Sequence, residues 1–431
     1  MIDFSIDPEF AKKLEWVRDF CRDAVEPLEY LFENHTAPYD TKNEEQNAYL
    51  KPLQDEVRRQ GLWGLHLPVH HGGPGLSQVQ LCLLNEILGR TFWGPRVFGC
   101  QAPDSGNGEI IARYGTAEQK TRYLDPLQAG EIVSCFAMTE VEGGSDPTQF
   151  ITKAVQDGDD WVISGEKWFA SNARFAEFLI VMCVTDPDAP RYERMSTFLV
   201  PRNSSGLVFI SEPGVAGEPE EEGAHAHLLF DNLRIPAAAM LGPRGGGFKV
   251  AQARLGGGRI HHAMRTIGMC QKALDMMGER ALSRVTQGET FARKQLVQVD
   301  IGQCWIDLQQ FRLLVLRTAW MFDQGMDEEA RTWIAACKVT TAKISLDIVF
   351  KAMHMLGSLG VSNHTPLARM WSTVLAMGMA DGPTEIHQMV VGRAVLKTYS
   401  PAPDRFPTDY LPRLRTEARP KLDAYLATLK A

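Results

Sequence analysis

The sequence predicts an α+β fold: helices first, a small sheet in the middle, a helical bundle after it. Three observations carry this. Apolar residues recur every three to four positions through the first part of the chain, the spacing of one helix face. Over 131–240 the pattern changes to short runs rich in β-branched and aromatic residues, separated by turn residues. From Gly245 the helical spacing returns and continues to about residue 398. With 431 residues the chain is too long for one ordinary core. The expected segments are an N-terminal helical domain (1–130), a central antiparallel β domain (131–243), a C-terminal helical bundle (244–400) and a tail (401–431).

In DPEFAKKLEWVRDFCRDAVEPLEYLF, Phe10, Leu14, Val17, Phe20, Val25 and Leu28 define one helix face, with Asp7 and Pro8 as cap and first-turn proline. PVHHGGPG (68–75) is a breaker cluster and reads as a loop. A further helical run, GEIIARYGTAEQKTRYLDPLQAG, ends at Gly130. IVSCFAMTE, ITKAV, WVISGEKWF, EFLIVMCVT, STFLVP, LVFISEP and AHLLFDNLRIP then read as strands. The later helical pattern breaks at 256–258, 357–366 and 381–383. After the proline-rich 399–407, LPRLRTEARPKLDAYLATLK reads as a short surface helix.

Hydrophobic content of 44% with 23% charged residues is ordinary for a soluble globular protein. The net charge is −8 and the basic residues are scattered. That argues against a nucleic-acid or anionic-membrane surface. MIDFSIDPEF carries acids where a secretory leader carries lysine or arginine and an apolar run. No apolar stretch reaches membrane-spanning length. Eight dispersed cysteines without a CxxC fit reduced buried thiols in a cytoplasm and no metal site.

The most informative stretch is CFAMTEVEGGSDPTQFITKAVQDGDDWVISGEKWFASNA (135–173). Gly143-Gly144-Ser145-Asp146 forms a small-residue turn whose backbone can approach an anion closely, with positive φ open to the glycines. The second strand is expected to present Trp168, Phe169 and Ser171 to a flat heteroaromatic, although the rings serve equally well as sheet-core aromatics. In Arg254-Leu255-Gly256-Gly257-Gly258-Arg259, a glycine run opening a helix offers free N–H groups to an anion; a flexible connector is the plainer alternative. Asp381, in Ala380-Asp381-Gly382-Pro383-Thr384-Glu385, reads by itself as a helix N-cap, with Pro383 in the first turn.

These stretches together resemble the acyl-CoA dehydrogenases, and the helix–sheet–helix succession extends the resemblance over nearly the whole chain. The resemblance implies the acyl-CoA dehydrogenase fold and an FAD cofactor. It sets Met138 and Thr139 at the pyrimidine edge, Ser171 near N5, Ser145 on the pyrophosphate or CoA side, and Phe169 where tryptophan is common. Gly256, Gly257, Gly258 and Arg259 match the helix start near CoA, and Gly382 also falls on the substrate side. Arg284, Gly288 and Gln295 match a motif that contacts FAD phosphate across a subunit interface; Gln287 replaces its usual phenylalanine. In KAMHMLGSLG, Gly357 and Gly360 are retained in a loop that receives a neighbour's FAD, while His354 and Ser358 replace its glutamine and second glycine. Pro383 and Glu385 fall on the cofactor side. Asp381 stands where most members have a glutamate base, and a carboxylate can do that work if burial raises its pKa.

ADGPxEIH and GGGRIHHAMRTIG resemble a subgroup: the dehydrogenase domain of animal kinase–dehydrogenase fusion proteins and its stand-alone bacterial relatives. The implied activity is an FAD-dependent oxidoreductase of β-oxidation type, converting an acyl-CoA to a 2-enoyl-CoA. An electron-transferring flavoprotein would accept the electrons, in a cytoplasmic homodimer or homotetramer. The subgroup also implies an alternative in 4-hydroxy acid catabolism: a 4-phosphoryloxyacyl-CoA, made by a separate kinase, loses phosphate at the same flavin site. A flavin oxidase such as nitroalkane oxidase and a catalytically silent assembly subunit are further rivals.

Overall fold

The computed structural model describes residues 6–429, and for 71, 221 and 256–258 the backbone only. One unit extends through Gln388 and a second begins at Met389. In the first, the Pro8–Phe20 helix starts as its sequence implies: the Asp7 carboxylate accepts a hydrogen bond from Phe10 N at 2.9 Å. Its buried face, Phe10, Leu14 and Val17, meets Leu50 and Val57 of the Glu44–Arg59 helix and Leu81 and Leu84 of the Gln78–Leu88 helix.

The sheet contains β1 (Ser134–Ala137), β2 (Lys153–Asp157), β3 (Asp160–Lys167), β4 (Phe178–Val184), β5 (Met195–Pro201), β6 (Leu207–Ser211), β7 (His227–Pro236) and β8 (Met240–Leu241). Its order is β6-β7-β3-β2-β4-β5-β8, with β1 beside β4. The sheet is mixed rather than antiparallel as expected, because β1 runs parallel to β4 and β2 meets β4 parallel at Lys153 and Val184. β4 is buried from Phe178 to Cys183, the near-continuous apolar run of a strand covered on both faces. Leu179, Val181 and Cys183 enter the core inside the sheet with Trp161 and Phe198. Phe178 and Ile180 face the Asp104–Tyr114 helix through Ile110 and Ile111.

Four helices, Gly247–Ser283, Gln295–Asp323, Asp327–Leu356 and Leu367–Met377, pack around Ile267, Phe311, Val315 and Ile348. The glycine run does not open a helix. The first of these helices begins at Gly247 and continues through 256–258. Glycine costs about 1 kcal/mol per position in a helix interior, but buried Leu255, Ile260 and His261 on either side hold the segment helical. The second unit carries the end of the Thr384–Leu396 helix and the expected tail helix, Leu411–Thr428. Arg413 Nη1 donates to Asp404 Oδ2 at 2.7 Å within it.

A buried ion pair closes the sheet beside β1. Lys167 Nζ lies 2.7 Å from Glu140 Oε1 and 2.8 Å from Met138 O. Glu140 also accepts from Ile151 N at 2.7 Å and Thr152 N at 3.1 Å. The side chains are 0% and 2% exposed. Burial pulls the Lys167 pKa below its ordinary value, and Glu140 opposes that pull. Lys167→Met should cost about 3–5 kcal/mol in urea unfolding, because it strands a buried carboxylate. Adding Glu140→Leu should recover only part of the loss, because it removes the stranded charge but takes the acceptor away from the Ile151 and Thr152 N–H groups.

Candidate active site

β3 stops at Lys167 rather than running on through Ser171. Phe169 takes φ +57°, a left-handed conformation that cannot continue a strand. The segment is instead fastened from two sides. Trp168 N donates to Thr139 O at 2.8 Å, and Ala170 and Ala226 exchange backbone hydrogen bonds of 3.0 and 3.1 Å. Met138 and Thr139, the 168–171 strip and His225 therefore lie together. Phe169 is 38% exposed. Its ring stacks on His225 with centroids 3.9 Å apart and planes 14° apart. Ser171 Oγ lies 3.0 Å from His225 Nδ1.

The 143–146 turn forms without positive φ at Gly143 or Gly144. Gly143 is needed for another reason: a Cβ there would sit 2.6 Å from the Phe150 ring. Ser145 is exposed on the turn. Next to it a cavity of about 120 Å³ is lined by Thr148, Phe150, Arg191, Arg194 and Met195 among others.

Asp381 has φ +55° and precedes Gly382 at φ +100°. Its carbonyl accepts from Arg259 Nε and His387 Nε2, both at 3.2 Å. Its carboxylate Oδ2 is 3.9 Å from His262 Nε2. Arg254, Arg259, Lys338 and His262 all have pKa values lowered by burial, and in each the Asp381 charge opposes the lowering. The Asp381 carboxylate is thus within electrostatic reach of four basic groups. Arg254 Nε donates to Asn107 Oδ1 at 2.7 Å, and the guanidinium centre lies 4.4 Å from the Phe136 ring centroid. Gly106 leaves it room, since a Cβ there would meet Arg254 Cγ at 3.0 Å. Glu109, on the same helix as Asn107, has its carboxyl pushed up to about 7 by burial, with Arg254 pulling the other way.

The remaining expected residues lie elsewhere. Arg284 ends the Gly247–Ser283 helix with its guanidinium centre 4.6 Å from the Phe291 ring centroid. A Cβ on Gly357 would lie 4.0 Å from Arg284 Nη1, so these two meet within one chain. His354 packs on Phe350 at 4.3 Å. Gln295 and Glu385 are exposed, and Pro383 is half-buried. Among the described residues, no hydrogen bond or ring contact joins Arg284, Gln295 or His354 to Met138, Thr139, Phe169 or Ser171. Gly256, Gly257 and Gly258 lie outside the described residues except for their helical backbone. Arg259, expected near CoA, has its Nε on the Asp381 carbonyl. The sequence reading gave no role to Glu140, Lys167, His225 or Lys338 and quoted Arg254 only as the head of the glycine run; no local pattern marks the distant partners of Glu140, Lys167, His225 and Arg254.

The family descriptions "Acyl-CoA dehydrogenase, N-terminal domain", "middle domain" and "C-terminal domain" match residues 13–131, 135–233 and 245–396. FadE2 of Mycobacterium tuberculosis, named a probable acyl-CoA dehydrogenase, is 36% identical over 91% of this chain and 93% of its own length. Acyl-CoA dehydrogenase family member 10 of Mus musculus is 35% identical over 92% of this chain. Family member 11 of Gallus gallus is 36% identical over 88%. The chain spans only 38% and 49% of those two animal proteins. A solved Mycobacterium abscessus protein assigned to the acyl-CoA dehydrogenases superposes with a TM-score of 0.85 at 36% identity, covering 92% of this chain and 100% of that one. Butyryl-CoA dehydrogenase from Megasphaera elsdenii shares the fold, with a TM-score of 0.77 at 24% identity, over 92% of this chain and 100% of its own.

Glu109 yields a pH test. Its folded pKa of about 7 stands above the ordinary 4.5. The folded state therefore binds more protons between those values, and stability falls as pH rises through that window. Glu109→Gln should remove this part of the decline, seen as a flatter dependence of the urea midpoint on pH.

Proposed function

The chain belongs to the acyl-CoA dehydrogenase family, whose members are FAD-dependent oxidoreductases acting on CH–CH donors, and from that premise we propose that it takes the α-proton and β-hydride from an acyl-CoA thioester, giving a 2-enoyl-CoA. Asp381 carries this reading: it is a carboxylate on a fixed, left-handed residue amid four basic groups. The residues of the seat suit FAD: the backbone at Met138 and Thr139, the exposed face of Phe169, the Ser171 hydroxyl and Ser145 would hold it. When bound, FAD supplies the hydride acceptor.

Asp381 takes the α-proton. Arg259 and His387, bonded to its carbonyl, fix the 381–382 peptide that follows the base, and the Asp381 N–H would meet charge growing on the thioester oxygen. Ser145, Gly382, Gly256–Gly258 and the cavity with Arg191 and Arg194 are assigned to the CoA side. The functional unit is at least a dimer, with Arg284, Gln295, His354, Gly357, Pro383 and Glu385 serving the cofactor region. Exposed Leu282, Leu296 and Val299 beside Arg284 and Gln295 support that assembly. An electron-transferring flavoprotein is the proposed acceptor. The proposed setting is the cytoplasm of a bacterium, and similarity to the mycobacterial proteins supports the bacterial source.

Arg254 favours a second reading. A plain acyl chain has no use for a half-buried guanidinium beside the base, whereas a phosphoryloxy group at C4 does. The hydride taken from Cβ would then have to return to the carbon chain as phosphate leaves C4, so that the net change is loss of phosphate without oxidation, with a separate kinase supplying the substrate.

Anaerobic bleaching across an acyl-CoA panel, with phosphate release measured in parallel, separates the two. Asp381→Asn should keep FAD and lose α-proton exchange by about 10²-fold or more; near-normal exchange would require another base. Arg254→Met should lower turnover of a 4-phosphoryloxyacyl-CoA about tenfold more than that of its unsubstituted counterpart. Equal effects on both would remove the second reading.

A further inference from the structure

His225 is held on two sides and has no part in the chemistry assigned so far. Its ring lies face-on to Phe169, 3.9 Å between centroids, and its Nδ1 is 3.0 Å from Ser171 Oγ. The paired backbone of Ala170 and Ala226 locks the two segments in register and brings His225 beside Phe169 and Ser171. Burial, and then the nearby His35, pulls the imidazole down to about 4. At neutral pH the ring therefore carries one N–H and one bare nitrogen, and either can be Nδ1.

We propose that His225 is a positioning residue for Ser171, its Nδ1 allowing the serine hydroxyl to act as donor or as acceptor toward the flavin N5. This role rests on the reading that Ser171 faces N5. A flavin N5 accepts a hydrogen bond when oxidised and carries a hydrogen of its own once hydride has arrived. A serine hydroxyl has a single hydrogen, so it must turn that hydrogen away from the ligand in the second state. While Ser171 donates to the cofactor, its oxygen can accept from Nδ1–H. Once Ser171 accepts from the cofactor, its hydrogen needs an acceptor behind it, and bare Nδ1 is that acceptor. The imidazole meets both needs by moving its hydrogen between Nδ1 and Nε2 through solvent, with no net gain or loss of a proton. Phe169 keeps the ring plane in place during the exchange.

The test uses the FAD-loaded full chain with His225→Phe, which keeps a ring against Phe169 but removes both nitrogens, together with Ser171→Ala and the double variant. The readouts are the FAD dissociation constant by flavin fluorescence, the flavin midpoint potential, and imidazole ¹⁵N shifts in oxidised and reduced protein. The His225 signals are assigned by their absence from the His225→Phe spectrum. His225→Phe should weaken FAD binding about 5–10-fold in the Ser171 background and have no further effect in the Ser171→Ala background. In unsubstituted protein the ¹⁵N shifts should report opposite tautomers in the two redox states. An equal loss in both backgrounds, or one tautomer throughout, overturns the proposal. If Ser171→Ala alters affinity and potential while His225→Phe alters neither, the positioning role fails alone. If both variants are silent, the placement of Ser171 at N5 fails with it.

Discussion

The arrangement of this site depends first on the buried Glu140–Lys167 pair. Lys167 closes β3 and reaches the carbonyl of Met138 at the end of β1, while Glu140 gathers the backbone N–H groups of Ile151 and Thr152 just before β2. Three separate pieces of chain are thereby fixed to one another in a space that excludes water. Such a pair adds little net stability over a well-packed apolar replacement, because desolvation offsets most of the attraction. Its contribution is registry: Phe169 and Ser171 follow Lys167 directly, so their positions are set by where its ammonium is anchored.

The same economy of placement governs Asp381, the proposed base. Phe169 and Asp381 are both non-glycine residues at positive φ, where backbone strain is about 1–3 kcal/mol per residue. Each is held there by specific bonds: Trp168 to Thr139 and Ala170 to Ala226 around the first, Arg259 and His387 on the carbonyl of the second. The conformation turns one ring outward from a sheet that would otherwise bury it, and presents one carboxylate among basic groups. Positive charge around Asp381 is also what gives Arg254 its interest. A guanidinium bonded to Asn107 and brought into the field of Asp381 is an expensive arrangement for a site that handles only hydrocarbon.

Much of this was legible beforehand. The order of helices, sheet and helices, the 143–146 turn, and the Asp381-Gly382-Pro383 break are local patterns, and local patterns record which side of an element is apolar and where the chain must bend. The strand end at Lys167 was misread because Trp168 and Phe169 favour a strand, whereas the left-handed turn at Phe169, with Trp168 fixed to Thr139 and Ala170 to Ala226, ends it. The glycine run was misread for the opposite reason: low helix propensity at 256–258 is overridden by burial on either side.

The sequence alone therefore determined the fold class and the segment that holds the acid. Tertiary structure decided that β1 lies parallel to β4, that Glu140 meets Lys167 across 27 positions, that Ser171 meets His225 across 54, and that Arg254 meets Asn107 across 147. Periodicity constrains neighbours three or four residues apart. Partners this distant are chosen only when the packed chain closes, since the energy that selects them, removal of charge and polar atoms from water, does not exist until then.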